Sequence, residues 1–144
     1  MSQRSTIVVC EAYVALRNAM EWILRDQYQV LSVSSVRFIV EPSPFLKRLT
    51  PSLFIIDIDG QPALRRNFIC LRESCKHAPI LLLSNEFSLD EQLEARKQVV
   101  TVSFLQKPFS PHLLLDKVDI LIRGYSRSPI KHRIMRIAQL GRYK

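Results

Sequence analysis

Three stretches of this chain, Ile7-Val8-Val9-Cys10, Leu53-Phe54-Ile55-Ile56 and Ile80-Leu81-Leu82-Leu83, are apolar without interruption. They lack both the 3.6-residue period of a helix and the alternation of a half-exposed strand. Such runs read as strands buried on both faces, the signature of a parallel sheet covered by helices on each side. Each run ends in a polar residue: Glu11, Asp57 and Ser84 respectively. A fourth run, Val100 to Leu105, leads into Lys107-Pro108-Phe109. The C-terminal ends of parallel strands open onto the edge where α/β sheets bind ligands. An unpaired carboxylate there is costly to desolvate, so it calls for a cation, a metal or a hydrogen-bond donor. Acid, acid, hydroxyl and ammonium at successive strand ends suit a metal and a phosphoryl group.

The segments between the runs read mostly as helices. Strand one is about Thr6–Cys10, and Val14–Arg25 carries Leu16, Ala19, Met20, Ile23 and Leu24 on one stripe. Gln29–Val33 is the second strand. Val36 to Glu41 is β-branched and aromatic, which predicts an extended or irregular segment. Ser43-Pro44 then opens a short helix to about Leu49. Strand three is Leu53–Asp57, and after a break at Gly60-Gln61-Pro62 a helix is expected over Ala63–Cys75, with Leu64, Phe68 and Leu71 inward. Strand four is Ile80–Ser84. Ser88-Leu89-Asp90-Glu91 is a capping box for a mostly solvent-facing helix to about Gln98. Strand five is expected at about Val100–Leu105, and Ser110-Pro111 opens a last core helix that Gly124 should stop. Alternating strands and helices make a doubly wound α/β sandwich.

With Glu11, Asp57, Ser84 and Lys107-Pro108-Phe109 in this order, the chain resembles a receiver domain of two-component response regulators. Asp57 lies six positions after Pro51, Ser84 follows Asp57 by 27 and Lys107 by 50, all close to that family's intervals. The resemblance runs from about Thr6 to Gly124. It implies a flavodoxin-like, five-stranded parallel sheet of order 2-1-3-4-5 with helices on both faces. It also implies phosphorylation of Asp57 by a histidine kinase or phosphotransfer protein, with Mg2+ held by Glu11, Asp57 and the backbone carbonyl of Asp59. Ser84 and Lys107 would bind the phosphoryl group, and Phe104 would be the switching aromatic. A homodimer through the fourth helix, fifth strand and fifth helix is a further expectation.

The chain departs from the family pattern at several points. Cys10 stands where a second acid is usual, which should weaken magnesium binding. Asn85 stands where a small residue leaves room for the phosphoryl. Val100-Thr101 replaces a Gly-Ala pair, and Pro62 comes one residue late, so the loop after Asp57 should be lengthened. Taken singly, Asp57 reads equally well as a loop-start acid with Lys107 its ion-pair partner, and Phe104 as core. Two functions therefore stand: a phosphoacceptor switch and a pseudo-receiver that acts by binding alone. A flavin protein is disfavoured because Glu11-Ala12-Tyr13-Val14 makes no phosphate cradle, and His77, His112 and His132 lack ligand spacing.

The 144 residues suffice for one core domain. No stretch is long and apolar enough for a membrane span, and the first residues lack a signal-peptide core, so the cytoplasm is the expected location. Three cysteines, Cys10, Cys70 and Cys75, read as free thiols. The net charge of +8 is concentrated at one end: seven Lys or Arg and no acid lie from Arg123 onward, against 14 bases and 13 acids before it. The expected division is a domain over 1–124 and a basic tail over 125–144. In that tail Ile130, Ile134 and Ile137 would share one face of a short helix able to meet nucleic acid or a partner.

Overall fold

The computed structural model describes residues 4–61, 64, 68–99 and 101–126. Five parallel strands form one sheet: β1 (Thr6–Cys10), β2 (Gln29–Val33), β3 (Leu53–Asp57), β4 (Ile80–Ser84) and β5 (Val102–Gln106), in the order β2-β1-β3-β4-β5. The order and the parallel pairing are those the resemblance implied. Every residue of β3 and β4 is buried, as their unbroken apolar runs require, whereas the outer strands β2 and β5 are only partly covered.

Side chains leave each strand alternately to two cores. Ile7, Val9, Leu53, Ile55, Leu81 and Leu83 pack with Met20 and Leu24 of α1 (Val14–Leu24) and with Leu114, Val118 and Leu121 of α6 (Pro111–Ser126). Val8, Cys10, Phe54, Ile56, Ile80 and Leu82 face the other way. They meet α2 (Arg37–Val40), α3 (Pro44–Arg48), α4 (Ile69–Ser74) and α5 (Leu89–Gln98) through Ile39, Leu46, Leu71 and Ala95. Each fully buried Leu or Ile contributes about 1.5–3 kcal/mol, so these two layers hold the strand ends in place.

Three local expectations are corrected. The β-branched segment after β2 is one turn of helix, α2, with Ile39 buried and its amides bonded within the turn. Without a neighbouring strand to pair with, the segment satisfies its backbone locally, and burial of Ile39 outweighs β propensity. The helix expected over Ala63–Cys75 is interrupted: Leu64 is helical, Phe68 is not, and α4 runs from Ile69 to Ser74, with Leu64, Phe68 and Leu71 all buried as expected. The Phe68 N–H donates to Gln98 Oε1 at 2.7 Å, so a side chain of α5 takes an amide at the start of α4. Gly124 is buried and does not stop α6, which continues to Ser126. The roughly 1 kcal/mol cost of a helical glycine is small beside the packing of that helix.

Strand five also sits slightly later than expected, at Val102–Gln106. Other local readings hold. Ser43 caps α3 through Leu46 N at 3.2 Å, and Ser88 and Glu91 form the reciprocal capping box of α5. The cysteines form no disulfide; burial pushes Cys10 and Cys75 up to about 12, which makes them inert thiols. Pro62 and the tail isoleucines lie outside the described residues. Among the described residues no helix is long and apolar enough to cross a membrane.

Candidate functional site at the sheet edge

The C-terminal ends of β1, β3, β4 and β5 bring the four polar residues of the sequence analysis to one edge. Backbone bonds from strand to strand fix the exits: Glu11 N to Val33 O at 3.0 Å, Ile58 N to Leu83 O at 3.0 Å and Lys107 N to Ser84 O at 2.8 Å. Asp57, Glu11 and Ser84 are the buried polar residues of the described chain, at 4%, 3% and 0% exposure. Lys107 reaches across β4 to Asp57, with Nζ 2.5 Å from Oδ2. The Lys107–Pro108 peptide is cis.

Glu11 enters from β1 with its carboxylate held at one oxygen only. Oε1 accepts from Tyr13 N at 2.9 Å, and its backbone carbonyl accepts from Arg17 at 2.9 Å. Oε2 is buried and has no hydrogen-bond partner among the described residues. Burial, followed by the Asp57 carboxylate beside it, pushes Glu11 up to about 7, although the Tyr13 amide and Lys107 pull the other way. A proton shared with Asp57, or a cation, is what would satisfy that oxygen. Cys10, the last residue of β1, is fully buried and supplies no charge.

Lys107 faces two acids. Its desolvation favours the neutral amine, but Asp57 and Asp59 together outweigh this and hold its pKa above the ordinary value. Nζ lies 2.8 Å from Asp59 Oδ2. From the sequence, Asp59 was expected to contribute only its backbone carbonyl; its side chain is the functional group missed there. Oδ1 accepts from the Ser84 hydroxyl at 2.5 Å, and Oδ2 accepts from Asn85 N at 2.8 Å as well as from Lys107. The signal was the Asp-x-Asp spacing. Asp57 Oδ1 accepts from Asp59 N at 2.9 Å, so the first aspartate turns the chain that carries the second.

Asn85 is exposed. It enters through its backbone, whose carbonyl also accepts from Gln106 Nε2 at 3.1 Å. Phe104 is half-buried on β5. It meets Phe87 edge-on with centroids 5.2 Å apart, and the Arg96 guanidinium lies 5.1 Å from its ring centre. The ring thus sits beside Arg96 of α5.

The arrangement offers carboxylate oxygens to one divalent cation, while its donors already converge on an anion, the Asp59 carboxylate. The unsatisfied Glu11 oxygen and the adjacent Asp57 carboxylate suit a hard cation that takes one or two carboxylates and completes its shell with waters. Among the described residues no three His, Cys, Asp or Glu side chains form a cage, so a site built wholly from side chains is not present there.

Compared by sequence, the chain matches no family model and no curated relative. Compared by structure, it has the fold of CheY-like response-regulator receiver domains. Chemotaxis protein CheY4 of Vibrio cholerae is similar over 83% of this chain and 99% of its own, at 21% identity and a TM-score of 0.67. A response regulator from Thermotoga maritima is similar over 84% and 99%, at 20% identity and 0.67. The receiver domain of a sensor histidine kinase from Pseudomonas aeruginosa, whose structure has a magnesium ion coordinated in the active-site cleft, is similar over 83% and 98%, at 21% identity and 0.63.

Proposed function

We propose that this chain is a response-regulator receiver domain that accepts a phosphoryl group on Asp57 from a phosphohistidine of a histidine kinase or phosphotransfer protein. The observation that carries this reading is the pair of buried carboxylates at the sheet edge, one with an unsatisfied oxygen, facing a lysine. An oxygen of Asp57 attacks phosphorus, the P–N bond breaks, and the imidazole leaves. The obstacle is repulsion between the carboxylate and the phosphoryl oxygens. Lys107 would offset part of it as a point charge, and the Ser84 hydroxyl and Asn85 amide would donate to phosphoryl oxygens once released from Asp59. Glu11, Asp57 and the Asp59 carbonyl would hold Mg2+, which supplies the positive charge that a carboxylate nucleophile needs against the phosphoryl oxygens.

Switching is assigned to Ser84 and Phe104. A change at the hydroxyl is passed along β4 and β5 to the aromatic beside α5. The α5–β5–α6 face is then where partners, including a second copy of the chain, are exchanged. No separate enzymatic activity is assigned.

The test is intact mass after incubation with acetyl phosphate and magnesium. One phosphoryl is expected, mapping to Asp57 and absent from Asp57→Asn; no adduct at saturating donor and magnesium favours the pseudo-receiver. One observation supports that second reading: Cys10 is a neutral thiol where another carboxylate would strengthen the cation site. Cys10→Asp is accordingly expected to raise magnesium affinity in a titration, because a further carboxylate adds attraction that a thiol cannot. Equal affinities would remove Cys10 from the account.

A further inference from the structure

We infer that the Asp59 side chain is a built-in stand-in for the phosphoryl group, occupying the anion seat beside Asp57 and setting a threshold for phosphorylation. The inference rests on the phosphoacceptor reading for its consequence, but on the structure for its geometry. One carboxylate takes three donors from two strand ends. The Ser84 hydroxyl at the end of β4 lies 2.5 Å from Oδ1, the first amide after β4, that of Asn85, 2.8 Å from Oδ2, and Lys107 Nζ after β5 2.8 Å from Oδ2. A hydroxyl, a backbone amide and an ammonium converging on two oxygens form an oxyanion site, and here the oxyanion belongs to the chain.

The placement makes coexistence unfavourable. Asp59 N donates to Asp57 Oδ1 at 2.9 Å, and Lys107 Nζ lies within 2.8 Å of both carboxylates. A dianionic group built onto Asp57 would therefore arrive beside an existing anion and need the same lysine. Like charges at this distance in a partly desolvated site oppose each other strongly. Asp59 is more exposed than its neighbours, with 24% of its side chain accessible against 3% for Asp57 and 16% for Lys107. It can swing out to solvent, whereas Asp57 cannot. Phosphorylation then requires that rotation, and dephosphorylation lets Asp59 return.

The experiment compares wild type with Asp59→Asn and Asp59→Ala, each with its full backbone and hence its Asp59 carbonyl position. Magnesium affinity is titrated for each first, and all comparisons are made at saturation. Beryllofluoride binding, followed by 19F NMR, reads occupation of the seat without turnover; initial rates with acetyl phosphate, followed by intact mass, read phosphorylation. Removing the tethered anion is expected to tighten beryllofluoride roughly tenfold or more, the equivalent of one hydrogen bond to a charged group, in both variants. In wild type the Asn85 amide resonance should already lie near its anion-bound position, and Asp59→Ala should move it back until beryllofluoride restores it.

Equal or weaker beryllofluoride binding in both variants overturns the inference, as does absence of binding in all three proteins. If the variants bind beryllofluoride more tightly but none is phosphorylated, the seat is as inferred and the phosphoacceptor reading falls. If all are phosphorylated at equal rates with equal beryllofluoride affinity, that reading stands and Asp59 is no stand-in. Asp59→Ala guards against a conservative asparagine that keeps the same bonds.

Discussion

The two halves of the sheet edge are built from similar parts and left in opposite states. On the β1 side, Glu11 keeps a buried oxygen without a hydrogen-bond partner among the described residues and lies against a second carboxylate. On the β4–β5 side, the Ser84 hydroxyl, the Asn85 amide and Lys107 all end on the Asp59 carboxylate. The acidic half is strained and waits for a positive charge. The donor half is already satisfied from within. A sheet edge of this kind is not simply ready or unready for chemistry; each half must be judged by what already neutralises it.

The largest break in that comparison should come from Lys107→Met. It strips the cation shared by both halves, leaving Asp57 buried without its ion-pair partner and Asp59 with fewer donors. Removing one partner of a buried pair is expensive, and a loss of about 3 kcal/mol is expected in urea unfolding at neutral pH. Because Lys107 is held above its ordinary pKa of 10.5, its contribution is present below that value and fades as pH rises through the raised one. Unchanged stability in Lys107→Met would mean that Asp57 and Asp59 are neutralised in some other way.

Glu11→Gln should act in the opposite direction. In chelator-treated protein at pH 8 it removes an unsatisfied buried charge and is expected to stabilise by about 1–2 kcal/mol while abolishing stabilisation by magnesium. The pH profile sharpens this. Glu11 in the folded chain is raised from 4.5 to about 7, so the folded state binds more protons than the unfolded one between those values. Metal-free stability should therefore fall as pH rises from about 4.5 to about 7, and Glu11→Gln should flatten that slope. A profile that rises over this window in wild type would show that Glu11 is not the governing group.

The smallest effect is expected from Ser84→Ala. Its hydroxyl is fully buried and donates to Asp59, with the Glu86 carbonyl at 2.8 Å as an alternative acceptor. Either acceptor retains other donors or reaches water, so a loss of about 1 kcal/mol in thermal unfolding is expected. A loss near that of Lys107→Met would mean the donor half depends on the hydroxyl as much as on the ammonium.

Most of the framework was legible in the chain itself. Unbroken apolar runs can be covered only on both faces, so Leu53–Ile56 and Ile80–Leu83 had to be central parallel strands. The polar residue after each run then had to emerge at one edge, which is why Glu11, Asp57, Ser84 and Lys107 were found together. Caps such as Ser43 and Ser88 were legible because they depend on neighbours a few positions away. What sequence reasoning lacked was any contact decided across the fold. Val36 to Glu41 has β propensity but no neighbouring strand, so it winds into a turn that buries Ile39. Gly124 would end an isolated helix, yet α6 packed on the sheet continues through it. Asp59 is two residues from Asp57 in sequence, but its role depends on a hydroxyl 25 positions on, an amide 26 positions on and a lysine beyond β5. Apolar pattern and local hydrogen bonding are properties of neighbours along the chain, and the sequence determines them directly. Which donor meets which acceptor at the sheet edge depends on three loops arriving at the same point, and only the packed structure decides that.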